Sequence, residues 1–462
     1  MISLSRLGRA GLLAGAFTMV AACEAQIGSE VELEAGTVAS NVVSASGVRS
    51  FRGLPFAAPP VGENRWRAPQ PVAPWDRVRD ATAFGNVCHQ GDGLPRYINI
   101  ANMEGSPPLS EDCLYLNVWT PAETPADALP VMVFFYGGAF TDGGGAPPLY
   151  DGTALAERGA VVVTMNYRLG PFGFLAHPAL TAESGYGSSG NYGLLDMVAT
   201  LEWVQGNIAA FGGNPDNVTI FGQSAGAMAI TSLMTSPLTE GLFHRAIGQS
   251  IMGGGASPNG PNATLAAQEQ AGARQAEEAG LTTLAEMRAL SAEEVSATFR
   301  AQTMIVDNYV IPEDPAIVFA EGRQHPVDAL MGANFAEMAF GGGGPPTAEN
   351  NPSDRIFWVA RRLAEYARES GQAAYVYWFT QNGAGSDEFL PVHAAEVKYV
   401  FDNLGEVPLF PDSSDAERIG ASAADQQLAD TMASYWVNFA RTGDPNGEGL
   451  PAWPPHAGLD VV

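Results

Sequence analysis

The sequence is poor in positive charge. It contains a single lysine, Lys398, and its 23 Lys and Arg residues face 50 Asp and Glu residues, so the net charge is −27 over 462 residues. A surface this acidic disfavours nucleic acid and anionic lipid as partners, and one lysine leaves no phosphate-binding loop of the Walker type. Hydrophobic residues make up 46% of the chain and charged residues 16%. That balance excludes a disordered chain and supports a large buried core.

Long apolar runs are also scarce. The apolar stretch 10–22 follows two arginines and is too short for a comfortable membrane span, which is typical of a signal-peptide core. It ends in an Ala-Ala-Cys sequence similar to a bacterial lipobox, which predicts a signal peptide over residues 1–22 and a lipid anchor on Cys23. The alternative is an ordinary secretory signal cut after Ala22 or Ala25. Either way, we expect an exported protein, lipid-anchored in a bacterial cell envelope or secreted.

Besides Cys23, the chain has two cysteines, Cys88 and Cys113. An even pair in an oxidising compartment predicts a disulfide. It would close a loop of about 25 residues and contribute about 3 kcal/mol through loop entropy. The alternative is a pair of buried free thiols.

Continuous apolar runs predict strands that are buried on both faces, and there are three of them: residues 131–135, 161–165 and 218–221. Between the last two, residues 193–211 carry apolar side chains at helical spacing. Strands that alternate with helices indicate a mostly parallel α/β sheet. Nearer the N-terminus, residues 31–43 are typical of short alternating strands with a glycine turn.

A nucleophile motif follows the third apolar run. Gly222-Gln223-Ser224-Ala225-Gly226 has the form G-x-S-x-G and stands between a predicted strand and a small-residue helix start. In this motif the serine takes a strained backbone conformation, and the glycines let strand and helix pass closely. The hydroxyl is then presented at a helix N-terminus, where developing negative charge is favoured. Ser224 is therefore the candidate nucleophile, although the five-residue pattern alone also occurs by chance.

A glycine-rich turn follows the first apolar run. Tyr136-Gly137-Gly138-Ala139-Phe140 occupies the place of the HGGG-type motif that precedes the serine motif in esterases. Backbone N–H groups can approach an oxyanion closely only where the side chains are small. Taken alone, the segment could equally be a plain glycine turn, but the serine motif downstream favours an oxyanion loop.

Long ordered motifs resemble those of one family, the type-B carboxylesterases, which include cholinesterases and bacterial para-nitrobenzyl esterases. The resemblance covers residues 31–455 and rests on five segments: FRGLPFAAPPVG (51–62), SEDCLYLNVW (110–119), NYRLG (166–170), FGGNP (211–215) and FARTGDPN (439–446). It implies that the oxyanion donors are the backbone amides of Gly138, Ala139 and Ala225. It also implies that Cys88 and Cys113 form the N-terminal disulfide of the family.

The histidine of the site is chosen by its position. An α/β-hydrolase places its triad in the chain order serine, acid, histidine. His393 lies in a loop after the strand-like segment 374–379, where the base is expected. The other histidines downstream of the serine are less well placed, in a predicted helix or beside prolines: His244, His325 and His456.

The resemblance supplies the acid. The family pattern G-x-N-x-x-E matches residues 332–337 and ends at Glu337, which would orient His393 and stabilise its charged form. The neighbours of the glutamate depart from the usual acidic-Glu-Gly ending, so the loop is expected to differ locally. The pattern His-x-x-Glu matches His393 to Glu396, and Glu396 with Ser250 resembles the pair that lies behind the histidine in the family.

Departures from the family bear on the substrate. Gln223 stands where cholinesterases carry Glu, which removes a charge beside the site. Glu337 and His393 are only 56 residues apart, whereas most relatives have a longer stretch there with helices that flank the gorge. Residues 88–113 contain no Trp, so the cholinesterase platform for quaternary ammonium groups is absent from that loop. We therefore expect broad ester specificity rather than a choline ester specialist.

The sequence thus predicts one α/β-hydrolase domain over residues 31–462, with a mostly parallel sheet flanked by helices, after a linker at 23–30. We expect it to hydrolyse small-molecule carboxylic esters through an acyl-enzyme on Ser224, with no metal, cofactor or nucleic acid. The oligomeric state and the cleavage of amides, thioesters or carbamates stay open. The alternative is a non-catalytic cell-surface adhesion module of the same fold. Family members of that kind typically lack a triad residue, whereas all three positions are filled here.

Overall fold

The computed structural model describes seven stretches of the chain: residues 26–91, 107–252, 263–300, 303–338, 351–381, 391–404 and 422–459. The predicted signal peptide and Cys23 lie outside these stretches. Within them, no helix combines the length and the apolar character that a membrane crossing requires.

A central sheet of eight strands organises the described fold. Six neighbouring strands run parallel, and two at one edge continue the sheet in antiparallel pairing. This confirms the predicted, mostly parallel α/β architecture. Numbered along the chain and given in spatial order, the strands are β13 (Ala374–Phe379), β12 (Asp328–Asn334), β11 (Arg245–Gln249), β10 (Gly213–Gln223), β8 (Leu129–Phe135), β9 (Val161–Met165), β7 (Tyr115–Thr120) and β3 (Arg49–Pro55).

Two small sheets accompany the central one. The predicted strands near the N-terminus form an antiparallel hairpin that a third strand joins: β1 (Glu30–Leu33), β2 (Gly36–Ala39) and β4 (Arg79–Asp80). The second small sheet is a parallel pair, β5 (Val87–Cys88) and β6 (Leu109–Ser110). Cys88 at the end of this pair is bonded to Cys113, with an S–S distance of 2.03 Å, which confirms the predicted disulfide.

Helices pack against the central sheet. Helix α5 (Ala225–Leu233) contacts β10 and β11, α10 (Asp354–Glu369) contacts β12 and β13, and α12 (Ala423–Thr442) contacts β8 and β10. The predicted helix over 193–211 is α-helical as far as Asn207 and ends in a 3-10 turn. The helices are α1 (Thr153–Glu157), α2 (Gly170–Phe174), α3 (Pro178–Glu183), α4 (Tyr192–Asn207), α5 (Ala225–Leu233), α6 (Leu265–Glu278), α7 (Leu284–Ala289), α8 (Ala292–Thr298), α9 (Pro315–Ala320), α10 (Asp354–Glu369), α11 (Val397–Val400) and α12 (Ala423–Thr442).

The register of the parallel strands brings their carboxyl ends to one edge of the sheet. Gly222 of β10 lies opposite Phe135 of β8, Gln223 lies opposite Gln249 of β11, and Gln249 lies opposite Gly332 of β12. The segments that follow these four strands therefore meet at the same edge. That edge is where open parallel sheets bind their ligands.

The single lysine of the chain is buried in the fold. Lys398 lies in α11 and is 1% exposed. Burial disfavours the charged ammonium and lowers the pKa of Lys398 to about 8, although the carboxylate of Asp425 on α12 acts in the opposite direction. The acidic surface therefore includes no lysine from any part of the chain.

A buried ion pair joins the segment after β9 to helix α4. The guanidinium of Arg168 donates to the carboxylate of Asp196 at 2.7 and 2.9 Å, and the backbone N–H of Arg168 donates to the same carboxylate at 2.9 Å. The side chains are 3% and 0% exposed. Two charges this far from water stay stable only while they neutralise each other.

We expect Arg168→Met to lower the free energy of unfolding by about 3–5 kcal/mol, because the Asp196 carboxylate would remain buried without its cation. Arg323→Met is the matched control, because it breaks an ion pair with Glu313 whose side chains are 47% and 42% exposed. That variant should lose less than about 1 kcal/mol. Urea denaturation followed by tryptophan fluorescence measures both. Similar small losses in the two variants would contradict the expectation.

Candidate active site

The turn after β10 holds its serine in a strained conformation. Ser224 has φ 54° and ψ −119°, a backbone region that is costly for any residue except glycine. The flanking glycines lie against the end of β8: an added Cβ would lie 2.7 Å from the carbonyl oxygen of Phe135 at Gly222, and 2.0 Å from it at Gly226. Only glycine fits these positions. Ser224 thus occupies the N-cap position of helix α5 without a side-chain capping hydrogen bond, in the strand–turn–helix context that the sequence predicts.

Residues 137–145, here called the glycine loop, pass close beside this turn. A Cβ added to Gly137 would lie 3.0 Å from the Cβ of Ser224 and 2.5 Å from Oε1 of Gln223. The loop can approach the serine so closely because it has no side chain at this point. It then turns through three residues with positive φ: Gly138 (117°), Ala139 (54°) and Phe140 (63°).

The three backbone N–H groups that are expected to bind an oxyanion, those of Gly138, Ala139 and Ala225, have no protein acceptor within the described stretches. Ala225 is the first residue of α5, and the N–H groups in the first turn of a helix have no partner within the helix. Gly138 and Ala225 are buried, whereas Ala139 is exposed. Free donors beside a helix N-terminus can stabilise negative charge that develops next to the serine.

The structure brings Glu337 and His393 together just beyond the ends of β12 and β13. Ala336 and Val392 form an isolated parallel bridge that joins the two segments. Nδ1 of His393 lies 2.5 Å from Oε2 of Glu337, and Oε1 of the same carboxylate accepts the N–H of Asn334 at 2.7 Å. Glu337 is fully buried, and the histidine side chain is 10% exposed. The carboxylate therefore fixes the proton of the imidazole on Nδ1.

A second carboxylate, Glu396, is buried near the histidine. Its oxygens accept from the side-chain amides of Asn334 at 2.5 Å and Gln249 at 3.2 Å. The hydroxyl of Ser250 has no hydrogen-bond partner in the described part of the chain, so the expected pair of Ser250 and Glu396 is not joined by a hydrogen bond. Burial, followed by the charge of Glu337, raises the pKa of Glu396 to about 7.

These carboxylates set the charge preference of His393. Burial favours the neutral imidazole and lowers its pKa, but the charge and hydrogen bond of Glu337 and the charge of Glu396 outweigh burial. The pKa of His393 is therefore raised above the ordinary value of 6.5. A reaction that needs the neutral imidazole as a base should slow as the pH falls through this raised value.

Gln223 contacts the other nitrogen of the imidazole. Its Nε2 lies 3.1 Å from Nε2 of His393, and the glutamine is 5% exposed. Because Nδ1 carries the proton that faces Glu337, Nε2 of His393 is the acceptor and the amide of Gln223 is the donor. The residue directly before Ser224 thus touches the nitrogen from which a base would act.

The other downstream histidines make structural contacts. The prediction that His244 lies in a helix is wrong: it comes immediately before β11, where its Nδ1 accepts the N–H of Val218 on the neighbouring strand at 3.1 Å. Nε2 of His325 lies 2.8 Å from a backbone carbonyl oxygen, and Nε2 of His456 lies 3.2 Å from the carboxylate of Glu365.

Several buried amides around the site were not found by sequence reasoning: Gln90, Asn166, Gln249 and Asn334. Asn334 is the N of the matched G-x-N-x-x-E pattern, so a signal for it was present. Asn166 is the first residue of the NYRLG motif, so a signal for it was present too. Gln90 and Gln249 bond to groups far away in the chain and have no local signature. No group of three or more His, Cys, Asp or Glu side chains in the described ranges is arranged to hold a metal ion.

Known proteins resemble this chain over most of its length. The profile of the Carboxylesterase family matches residues 28–343 and 347–460. The chain is 38% identical to the fumonisin B1 esterase of Sphingopyxis macrogoltabida (88% of this chain, 81% of that protein). It is 35% identical to the para-nitrobenzyl esterase of Bacillus subtilis (88% and 89%). A solved PNB esterase superposes with a TM-score of 0.77 at 31% identity (92% and 93% of the chains), and a carboxylesterase of Geobacillus stearothermophilus with 0.75 at 32% (93% and 94%).

The family match includes every segment that forms the site, from the glycine loop to the loop that carries His393. The named relatives are esterases, and the solved structures share the mostly parallel sheet flanked by helices. Nothing in these comparisons supports an adhesion module. The chain therefore belongs to the carboxylesterase family, and it is a serine hydrolase of carboxylic esters with the α/β-hydrolase fold.

Proposed function

We propose that this carboxylesterase works through an acyl-enzyme on Ser224, with His393 as the base and Glu337 as the group that orients it. The observation that carries the proposal is the contact chain around the imidazole. Nδ1 of His393 lies 2.5 Å from Glu337, and Nε2 lies 3.1 Å from Gln223, the neighbour of the strained Ser224. A nucleophile, a base and an orienting carboxylate in this order define the triad arrangement.

The reaction then proceeds in two halves. Nε2 of His393 first exchanges the amide of Gln223 for the hydroxyl of Ser224. Oγ of Ser224 then attacks the carbonyl carbon of the ester while its proton passes to Nε2 of His393, and the N–H groups of Gly138, Ala139 and Ala225 donate to the resulting oxyanion. The bond to the alkoxy oxygen breaks, and this oxygen takes the proton from the imidazolium and leaves as the alcohol. Water then attacks the acyl-enzyme with help from the same base, which releases the acid and restores the serine.

We also infer that the enzyme accepts a broad range of small-molecule esters. The support is the short separation of Glu337 and His393, 56 positions along the chain, together with the uncharged Gln223 beside the imidazole. A neutral neighbour provides no anionic contact for a cationic alcohol group. Esters with uncharged alcohol groups are the class that suits this site.

Ser224→Ala should lower the turnover of nitrophenyl esters by about 10⁴- to 10⁶-fold, because the nucleophile of a triad is lost. Ser232→Ala, which changes a buried serine further along the same helix α5, is the control and should keep its activity. A serine-directed organophosphate should label the wild type and the control but not Ser224→Ala, as mass spectrometry would report. Activity of folded Ser224→Ala within tenfold of the wild type would refute the assignment.

The acid limb of the pH profile of kcat/KM should lie above 6.5 in the wild type, because the pKa of His393 is raised. Gln223→Glu should move this limb to higher pH, since a carboxylate 3.1 Å from Nε2 would favour the imidazolium further. Gln205→Glu, on α4, is the control and should leave the limb in place. A limb that stays put or moves to lower pH in Gln223→Glu would contradict the proposed proximity.

We infer further that the protein is exported and anchored by a lipid on Cys23. The support is the signal-like segment 1–22, the lipobox-like sequence that ends at Cys23, and the disulfide between Cys88 and Cys113. Disulfides persist in oxidising compartments outside the cytosol. Because those two cysteines are bonded to each other, Cys23 is the one remaining thiol of the chain.

The wild type should therefore partition with membranes and incorporate labelled fatty acid. Stable attachment needs two or three acyl chains, because one chain binds only marginally and the acidic body does not attract anionic lipid. Cys23→Ser should abolish labelling and leave an uncleaved precursor or a soluble exported form. Unlipidated wild-type protein in the soluble exported fraction, cut after Ala22 or Ala25, would favour the plain secretory signal instead.

A further inference from the structure

The buried amide of Gln90 holds one residue of the glycine loop. Its Oε1 accepts the N–H of Gly143 at 2.9 Å, and its Nε2 donates to the carbonyl oxygen of Gly143 at 2.9 Å. The same Nε2 donates to the carbonyl oxygen of Cys88 at 3.1 Å. Gln90 is 7% exposed. One side chain thus satisfies both polar groups of Gly143, as a neighbouring strand would, and ties them to the disulfide.

Asn166 makes a matching contact two residues further along the loop. Its Oδ1 accepts the N–H of Gly145 at 2.8 Å, and its Nδ2 donates to the carbonyl oxygens of Asn86 at 2.9 Å and Cys113 at 3.0 Å. Each cysteine of the disulfide therefore offers its carbonyl oxygen to an amide that also binds the glycine loop. The Cys88–Cys113 bond and the loop are parts of one hydrogen-bonded unit.

The glycine loop needs such outside support. Ala139 and Phe140 both have positive φ, a region that residues with a Cβ adopt only when their surroundings impose it. The backbone bonds inside the loop form a single tight turn, in which the carbonyl oxygen of Gly138 accepts from the next turn residues, Thr141 and Asp142. Gly143, which Gln90 holds, follows this turn directly and has φ 125°.

We propose that Gln90, anchored on the Cys88–Cys113 disulfide, is a positioning residue for ester hydrolysis. By fixing Gly143 it keeps the N–H groups of Gly138 and Ala139 where the oxyanion forms. The inference rests on the oxyanion role proposed above for those amides. Donors must be placed within a fraction of an ångström to stabilise the transition state, whereas the ground-state ester needs them less. Loss of the tether should therefore lower kcat and leave KM almost unchanged.

The test compares two glutamine-to-methionine variants. Gln90→Met keeps the length of the side chain and removes its three hydrogen bonds. Gln205→Met is the matched control, because the amide of Gln205 on α4 also donates to two backbone carbonyl oxygens, those of Pro215 at 3.0 Å and Leu242 at 3.1 Å. Both variants lose amide–backbone bonds, which are buried for Gln90 and partly buried for Gln205, but only the first loses a bond to the glycine loop.

In Gln90→Met we expect kcat for a nitrophenyl ester to fall by about 10- to 100-fold while KM stays within about threefold. The inhibition constant of a trifluoromethyl ketone should rise by a similar factor, because this inhibitor forms a tetrahedral oxyanion on the serine. Gln205→Met should keep kcat within about twofold of the wild type, whatever its loss of melting temperature. This split separates positioning from general destabilisation.

Unchanged kcat in folded Gln90→Met would overturn the proposal. Equal losses of kcat in Gln90→Met and Gln205→Met, each in proportion to the fall in melting temperature, would overturn it as well. If Gln90→Met does not fold, Gln90→Glu replaces it. This variant keeps an acceptor for the N–H of Gly143 but turns a charge toward two carbonyl oxygens, and the same split between kcat and KM is expected. Ser224→Ala distinguishes failure of the proposed mechanism from failure of the positioning role. An active Ser224→Ala variant would refute the mechanism itself. An inactive Ser224→Ala variant together with fully active Gln90 variants would refute only the positioning role.

Discussion

The close passage of β8, β10 and α5 around Ser224 is the constraint on which the rest of the site depends. Gly222 and Gly226 lie so near the carbonyl oxygen of Phe135 that no side chain fits at either position. At Gly137 an added Cβ would instead meet Gln223 and Ser224 themselves. Because the strands are parallel and in register, the loops that carry the base and the acid arrive at the same edge. Backbone contact, more than side-chain packing, thus determines where the hydroxyl stands.

Electrostatics add a second layer to this geometry. His393 lies near two buried carboxylates, of which Glu337 contacts it directly and Glu396 is bound by two side-chain amides. Two anions near one imidazole favour the imidazolium, which is the state that a base reaches after it has taken a proton. The raised pKa of Glu396, about 7, means that this second charge is itself partly lost at neutral pH. The buried carboxylates thus raise the pKa of His393, against the opposing effect of its burial.

Sequence reasoning succeeded where a local pattern reports backbone geometry. Apolar runs predicted three neighbouring strands of the sheet, β8, β9 and β10. The G-x-S-x-G motif predicted the turn at Ser224, because strain and close approach require glycine at fixed offsets. It failed where contacts join distant parts of the chain. Gln249 bonds to Glu396, which is 147 positions away in the sequence, and Gln90 bonds to Gly143, which is 53 positions away. A single amide side chain produces no periodic pattern in the sequence from which such a contact could be predicted. His244 was misplaced because a strand begins directly after it.

The burial of Lys398 determines how this protein responds to acylating reagents. An activated ester usually attaches acyl groups to exposed lysines, since the neutral ε-amine is a good nucleophile and a common target of acetylation. Here the only ε-amine of the whole chain lies inside the fold, and arginine stays protonated and unreactive. An acyl group that the folded protein acquires from solvent would thus sit on a hydroxyl, on the N-terminus or on an unmodified Cys23 thiol. Intact-mass measurements can therefore count trapped acyl-enzyme with no lysine background to subtract.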